Sequence, residues 1–221
     1  MKLAERYSFF VSHFKENMPA PETELAYSNP FELVVAVSLS AQCTDKRVNM
    51  VTTAIFRDFP DAHSMANTAF DTLFQYIKSV SFPNNKTKNL ISMAQRLESV
   101  YNSIVPDSVK ELETLAGVGR KTANVVVSVI YQQPAMAVDT HVFRVSKRLG
   151  LVKSTANTPL EVEKQLVKNL PKSVIHLAHH WLILHGRYTC VARKPKCDIC
   201  TITNICALYQ KNLKMEAKNA V

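Results

Sequence analysis

Several features that mark particular classes of protein are scarce or missing in this 221-residue chain. Charged side chains interrupt every apolar run before it reaches the roughly 20 residues that cross a bilayer, and they are also scattered through residues 1–20. Five cysteines are too few for a disulfide scaffold, and no Asn-Gly or Asp-Gly pair is present to mark a tight β-hairpin. We therefore expect neither a membrane protein nor a secreted one. Glycine is also rare, with four in the chain, which suggests that each has a specific role.

The composition that remains is that of a basic globular protein. Apolar residues make up 47% of the chain, which is enough for a packed core in one large domain or two small ones. Lysine and arginine number 27 against 18 aspartates and glutamates, giving a formal charge of +9. A basic chain of this size usually binds a polyanion, so nucleic acid is the leading partner class, with anionic lipid as the alternative.

The spacing of apolar residues favours an all-α fold. Ten prolines divide the chain into segments that suit helices better than strands, and apolar residues recur with helical spacing across 48–55, 90–104 and 174–182. The valine-rich stretch 124–130 is open to two interpretations, a buried strand or a central buried helix. No partner strand is signalled nearby, so the helix is favoured.

A Gly-x-Gly turn separates two of the predicted helices. A capping-box pattern at 108–111 opens the first helix, and Arg120 starts the second directly after Gly117 and Gly119. Such a helix N-terminus binds phosphate through its backbone N–H groups and dipole, although an ordinary helix–turn–helix linkage has the same spacing. The cations Arg120 and Lys121 oppose that dipole, which favours the phosphate-binding interpretation. The same positive end disfavours the ammonium form of Lys121 and so favours a nucleophilic amine.

Asp139 precedes another predicted helix, whose apolar positions run to Leu149 and which Gly150 ends. One interpretation makes Asp139 the N-cap of that helix. The other makes it a carboxylate at the mouth of a cleft, where it stabilises positive charge or helps to move protons. Spacing alone does not separate the two.

Four of the five cysteines fall within 17 residues. They are Cys190, Cys197, Cys200 and Cys206. Four thiolates from one loop suit an all-cysteine metal site in a reducing compartment, so we expect a cytoplasmic location, nucleoid-associated in a bacterial host. Zinc is one candidate, but a single Cys-x2-Cys pair with longer arms favours an iron–sulfur cluster. The loop also carries Arg193, Lys194 and Lys196, a basic patch suited to a phosphate backbone. The fifth cysteine, Cys43, is interpreted as a small buried hydrophobe.

Four motifs together resemble one known family. They are LSAQCTD at 39–45, LAGVGRKTAN at 115–124, VDTHVFR at 138–144 and HGRYTC at 185–190 with the cysteine spacing that follows. In this order, over residues 30–206, they are similar to the endonuclease III family of helix-hairpin-helix DNA glycosylases.

The resemblance implies an all-α protein of two lobes with a lesion cleft between them. One lobe is a central helical barrel with the helix-hairpin-helix at residues 22–133, and the other combines residues 1–21 with 134–221. The second lobe carries a [4Fe–4S] cluster on the four cysteines of its C-terminal loop. The implied function is base excision repair of damaged double-stranded DNA by a monomer that removes oxidised pyrimidines and cleaves abasic sites.

The same resemblance assigns roles to individual residues. Lys121 is implied to be the nucleophile that attacks C1′ of a flipped nucleotide and forms a Schiff base, and Asp139 is similar to the family's essential aspartate. Gln42 matches a residue that fills the space left by the extruded base. The hairpin around Gly117 and Gly119 is implied to bind the DNA backbone beside the lesion.

One stretch departs from the family pattern. Many members have Gly-Leu-Tyr-Asn-Ser-Lys where this chain has Ser-Phe-Pro-Asn-Asn-Lys at 81–86. Phe82 still offers an apolar wedge between bases, while Pro83 changes the loop.

Two other functions stay open at the level of sequence. One is a monofunctional glycosylase of the same fold, such as an adenine glycosylase, which lacks a lysine at the position of Lys121. The other is a non-enzymatic DNA-binding module with a structural metal, which has no use for Lys121 and Asp139 together.

Overall fold

The computed structural model of the chain describes residues 1–219, and all regular secondary structure in this part is helical. It contains twelve α-helices, one 3₁₀-helix at Lys172–Val174 and no β-strand, which confirms the predicted all-α class. Within the same residues, no helix combines the length and the apolarity needed to cross a bilayer. The α-helices are α1 (Leu3–Asn17), α2 (Pro30–Ser40), α3 (Asp45–Asp58), α4 (Ala62–Ala66), α5 (Phe70–Ile77), α6 (Pro83–Tyr101), α7 (Val109–Leu112), α8 (Arg120–Tyr131), α9 (Thr140–Leu149), α10 (Pro159–Asn169), α11 (Ile175–Tyr188) and α12 (Ala207–Asn219).

The chain divides into two compact units. The central unit is Thr23–Gln132 and holds α2 to α8, while the terminal unit joins Met1–Glu22 to the chain from Gln133 onward. In the terminal unit α1 packs on α11, because Phe14 stacks on Trp181 with ring centroids 5.7 Å apart. The indole N–H of Trp181 also donates to the Met18 carbonyl at 2.8 Å. Buried aromatic contacts thus attach the first helix of the chain to one of the last.

The valine-rich stretch 124–130 lies in α8, as predicted. This helix packs against α2, whose residues are almost all buried. Val126 and Val127 of this helix are buried in the core of the central unit. Helix α8 also packs on α7, and burial against these two helices outweighs the β-propensity of its valines.

The apolar pattern predicted to continue to residue 104 ends earlier. Helix α6 stops at Tyr101, because Asn102 takes a left-handed conformation with φ of 50° and caps it. Val100 is 52% exposed and Ile104 is 69% exposed. The buried stripe of α6 therefore extends only to Leu97.

Candidate active site and iron–sulfur loop

The predicted hairpin is present in the central unit, and its turn is exposed. The Ser108 hydroxyl caps α7 by accepting a backbone N–H bond at 3.2 Å, and α8 starts at Arg120. Between them Val118 is buried, and its N–H donates to the Leu115 carbonyl at 3.1 Å. Val118 thus anchors a turn whose residues 119–121 are exposed.

The two glycines of the turn have different constraints. Gly117 has φ of +77°, and a Cβ there would lie 3.0 Å from the Asn89 Cβ and 3.0 Å from its Nδ2. A side chain at this position is therefore disfavoured by both the backbone conformation and the available space. Gly119 has an ordinary φ of −91°, and a Cβ there would meet nothing within 4 Å. The space in front of Gly119 is open.

Lys121 lies at the second position of α8, and its side chain is exposed. The N-cap of this helix is Gly119, which has no side chain to cap the N–H groups of the first turn. The amine of Lys121 and the positive end of a helix are therefore presented at the same exposed turn.

Two further predicted DNA contacts, Gln42 and Phe82, lie in loops that touch. The hydroxyl of Ser81 donates to the Gln42 carbonyl at 2.6 Å. Both predicted contacts are exposed, and both have left-handed backbones, with φ of 54° for Gln42 and 55° for Phe82. Non-glycine residues adopt this conformation rarely, and such strained residues cluster at functional sites.

In the terminal unit, Asp139 is the N-cap of α9. Its Oδ1 accepts a hydrogen bond from the Val142 N–H at 2.7 Å, and the side chain is half-buried. The N-cap interpretation is thus confirmed, as is the left-handed Gly150 that ends the helix. The cap uses Oδ1, which leaves the second carboxylate oxygen, Oδ2, for another partner. Capping and a chemical role are therefore compatible on one side chain.

The four clustered cysteines follow α11 in the terminal unit, and all are half-buried. Burial is the main cause that raises the pKa of the Cys200 thiol, and the charges of Cys190, Cys197 and Cys206 raise it further. Burial also raises the pKa of the Cys206 thiol. Cys190 and Cys206 both contact Arg148, since the Cys190 Sγ accepts from its Nη1 and the Cys206 Sγ donates to its carbonyl, each at 3.4 Å. An iron–sulfur cluster fits the all-thiol donor set of this loop.

Two arginines of α9 hold the loop around Cys190. Arg148 Nη1 donates to the Cys190 Sγ at 3.4 Å and to the Val191 carbonyl at 2.8 Å, while its Nη2 donates to the Ala192 carbonyl at 2.8 Å. Arg144 Nε donates to the Cys190 carbonyl at 3.2 Å. Positive charge beside the sulfur suits a thiolate-ligated cluster. Sequence reasoning missed these contacts of both arginines, because each bond joins residues more than 40 positions apart in the chain.

The predicted basic patch lies on this same loop. Arg193, Lys194 and Lys196 are all exposed. Lys194 has a left-handed φ of 52°, and the Lys196 N–H donates to the Thr189 carbonyl at 3.0 Å. Three cations are thus displayed on a loop whose backbone is tied to the end of α11.

Comparison with known proteins identifies the family. Residues 35–172 match the model of the HhH-GPD superfamily of base excision DNA repair proteins, and residues 190–206 match the iron–sulfur binding domain of endonuclease III. The chain is 50% identical over 196 residues to endonuclease III of Rickettsia felis, which covers 89% of this chain and 91% of that protein. The chain belongs to the endonuclease III family.

Solved structures of endonuclease III share the fold. One is a trapped covalent endonuclease III–DNA intermediate, with a TM-score of 0.88 and 42% identity over 96% of this chain and 100% of that chain. Another is a non-covalent endonuclease III–DNA complex, with a TM-score of 0.89 and 41% identity over 97% of this chain and 100% of that chain. The predicted helix-hairpin-helix glycosylase fold with a C-terminal iron–sulfur loop is confirmed.

Membership in the endonuclease III family also confirms the predicted activity and cofactor. The chain is a base excision repair enzyme, a bifunctional DNA glycosylase and abasic-site lyase that acts on oxidised pyrimidines. It carries a [4Fe–4S] cluster, which decides between the two metals that the cysteine spacing left open.

Proposed function

We propose that Lys121 and Asp139 divide the chemistry of this enzyme between them. Lys121 Nζ forms a bond to C1′ of a flipped nucleotide as the damaged base leaves with the electron pair of the glycosidic bond. Opening of the sugar ring converts the amine adduct into a Schiff base. Its iminium withdraws electrons, so that loss of the C2′ proton breaks the C3′–O bond by β-elimination.

Asp139 acts on charge and protons and forms no covalent adduct. The sugar gains oxocarbenium character as the base departs, and a fixed carboxylate stabilises that positive charge. The same group accepts a proton from the attacking amine or returns one during ring opening. Its cap bond to Val142 supports this role, because the bond fixes the carboxylate through one oxygen and leaves the other available.

The remaining contacts bind damaged double-stranded DNA without taking part in the chemistry. The open space at Gly119 lets a phosphate approach the start of α8, with Gly117 shaping the turn and Arg120 adding positive charge. Gln42 fills the space left by the flipped nucleotide, and Phe82 wedges between bases.

The cysteine loop supplies a second contact with the phosphate backbone. Cys190, Cys197, Cys200 and Cys206 ligate the cluster, which when bound cross-links the loop through four Fe–S bonds. Arg193, Lys194 and Lys196 then face phosphates from a rigid support. We place the enzyme on DNA as a monomer, in the cytoplasm and, in a bacterial host, at the nucleoid.

The observation that carries the proposal is the exposed Lys121 amine at the uncapped end of α8. Its test is borohydride trapping on a duplex that contains thymine glycol. Lys121→Gln is expected to abolish the trapped adduct while lesion binding stays close to that of the unaltered protein. Lys78→Gln, which changes another exposed lysine of the central unit, is the matched control and is expected to trap normally. A trapped complex with Lys121→Gln would make another amine the nucleophile.

A further inference from the structure

Lys86 is a buried cation for which the proposed chemistry has no use. It lies in the first turns of α6 and is 9% exposed, and burial lowers the pKa of its amine. Lysines are almost never this buried unless their ammonium groups have partners. The identity of those partners therefore indicates what the residue does.

The partners of Lys86 are the two loops that carry Gln42 and Phe82. Its Nζ donates to the Leu39 carbonyl at 2.8 Å and to the Ala41 carbonyl at 2.7 Å. Its backbone N–H donates to the Phe82 carbonyl at 3.1 Å. One residue is thus bonded to the Gln42 loop through its side chain and to Phe82 through its main chain.

The carbonyls at the end of α2 are bonded one after another. Carbonyls in the last turn of a helix lack intrahelical partners, and a cation beside them is favourable. Here all four carbonyls of residues 39–42 accept hydrogen bonds, two of them from Lys86. The Cys43 N–H donates to the carbonyl of residue 40 at 3.0 Å, and the Ser81 hydroxyl donates to that of residue 42 at 2.6 Å. This row of bonds determines the backbone up to the left-handed Gln42.

We propose that Lys86 and Ser81 are positioning residues that lock the exposed tips Gln42 and Phe82 into one rigid element. The inference rests on the proposed function, in which both tips enter the DNA around the flipped nucleotide. Left-handed non-glycine residues persist only where their surroundings over-determine them. We call the bonds from the Lys86 amine and the Ser81 hydroxyl the clamp. Without the clamp, each tip relaxes independently, and the two tips no longer stabilise the flipped nucleotide together.

Loss of the clamp is expected to slow base excision more than the later cleavage at the abasic site. Extruding a damaged base from the duplex requires both tips, whereas an abasic site has no base left to unstack. Lys86→Met keeps the apolar stem of the side chain and removes both donated bonds. Misplaced positioning groups slow reactions strongly, so we expect single-turnover excision of thymine glycol to fall by about tenfold to a hundredfold. Borohydride trapping on a preformed abasic site is expected to change much less.

The decisive measurement is a double-mutant cycle with Gln42→Ala. If Lys86 acts through Gln42, adding Lys86→Met to Gln42→Ala slows excision little beyond Gln42→Ala alone. Lys88→Met, an exposed lysine on the same helix, is the matched control and is expected to keep full activity. Fluorescence of 2-aminopurine placed beside the lesion is the second readout, since it should show less unstacking with Lys86→Met than with the control.

Several results would overturn the inference. If the losses in excision rate from Lys86→Met and Gln42→Ala are additive, Lys86 does not act through Gln42. If Lys86→Met excises the base at the full rate, Lys86 has no positioning role, and the proposal that Lys121 forms the adduct is unaffected. If Gln42→Ala excises the base at the full rate, both the proposed role of Gln42 and the positioning role of Lys86 are wrong, and the borohydride test of Lys121 is again unaffected. If Lys86→Met does not fold, Ser81→Ala decides, because it deletes a single bond from a half-buried side chain. Excision at the unaltered rate by Ser81→Ala would then reject the clamp.

Discussion

Asp139 caps a helix and is proposed to assist catalysis, and two substitutions separate these roles. Asparagine caps helices about as well as aspartate, so Asp139→Asn keeps an oxygen for the Val142 N–H that is now bonded at 2.7 Å. What it loses is the negative charge, whose interaction with the helix dipole is worth about 0.3–1 kcal/mol. For a chain of this length, that lowers the melting temperature by no more than about 4 °C.

Asp139→Ala removes the charge and the cap together. Replacing an aspartate N-cap by alanine costs about 0.5–2 kcal/mol, a range that already includes the lost charge. Alanine is therefore expected to lower the melting temperature clearly more than asparagine does. Both variants lack the carboxylate, and both are expected to remove the damaged base about a hundredfold or more slowly, the scale for one positioned acid–base or electrostatic group.

Thermal unfolding by circular dichroism and single-turnover excision together read out the two roles. Asp61 provides a matched control, because its carboxylate caps α4 in the same way, accepting the Ser64 N–H at 2.8 Å. Asp61→Ala is expected to lower stability and leave the excision rate of the folded enzyme unchanged. If Asp139→Asn excises the base at the full rate, the carboxylate has no chemical role and Asp139 is a cap alone.

Four other predictions concern the turn, the cluster and the basic patch. Gly117→Ala forces a side chain into a left-handed position and is expected to destabilise the fold by about 1–2 kcal/mol. Gly119→Ala is expected to keep the melting temperature but to weaken lesion binding by about tenfold, roughly 1.4 kcal/mol, and unchanged affinity would contradict a close phosphate. Cys200→Ser is expected to reduce the bound iron and the broad visible absorbance of the purified protein, and an intact spectrum would exclude it as a ligand. Lys194→Ala is expected to make the salt dependence of binding to undamaged duplex shallower by about one unit, and an unchanged slope would remove it from the interface.

The parts of the structure that the sequence predicted well are set by short-range interactions. The cap at Asp139 and the end of its helix at Gly150 depend on residues within one or two turns, so their signals lie close together in the chain. The turn between α7 and α8 was predictable for the same reason. The limit is visible in α6, where helical spacing alone did not reveal that Asn102 ends the helix before Ile104.

The parts that sequence reasoning missed depend on contacts between distant segments. Nothing near Lys86 in the chain indicates that its amine binds carbonyls some 45 residues away. The bonds from Arg144 and Arg148 to the cysteine loop likewise span more than 40 residues. Cys43 was interpreted as a buried hydrophobe, yet it is half-buried in the Gln42 loop, because the loop ends α2 at the edge of the core.

The scarcity of glycine links the fold to the function. At three of the four glycines an added Cβ would lie 3.0 Å or less from a neighbouring side chain, namely at Gly117, Gly150 and Gly186. The packing of the folded chain therefore explains why these three positions have no Cβ. Gly119 has no such neighbour within 4 Å, and its backbone is one that alanine adopts readily. The protein's own packing therefore gives no reason for glycine at the start of α8. A phosphate that approaches the helix N-terminus closely supplies one, since a methyl group there would stand between the backbone N–H groups and the DNA.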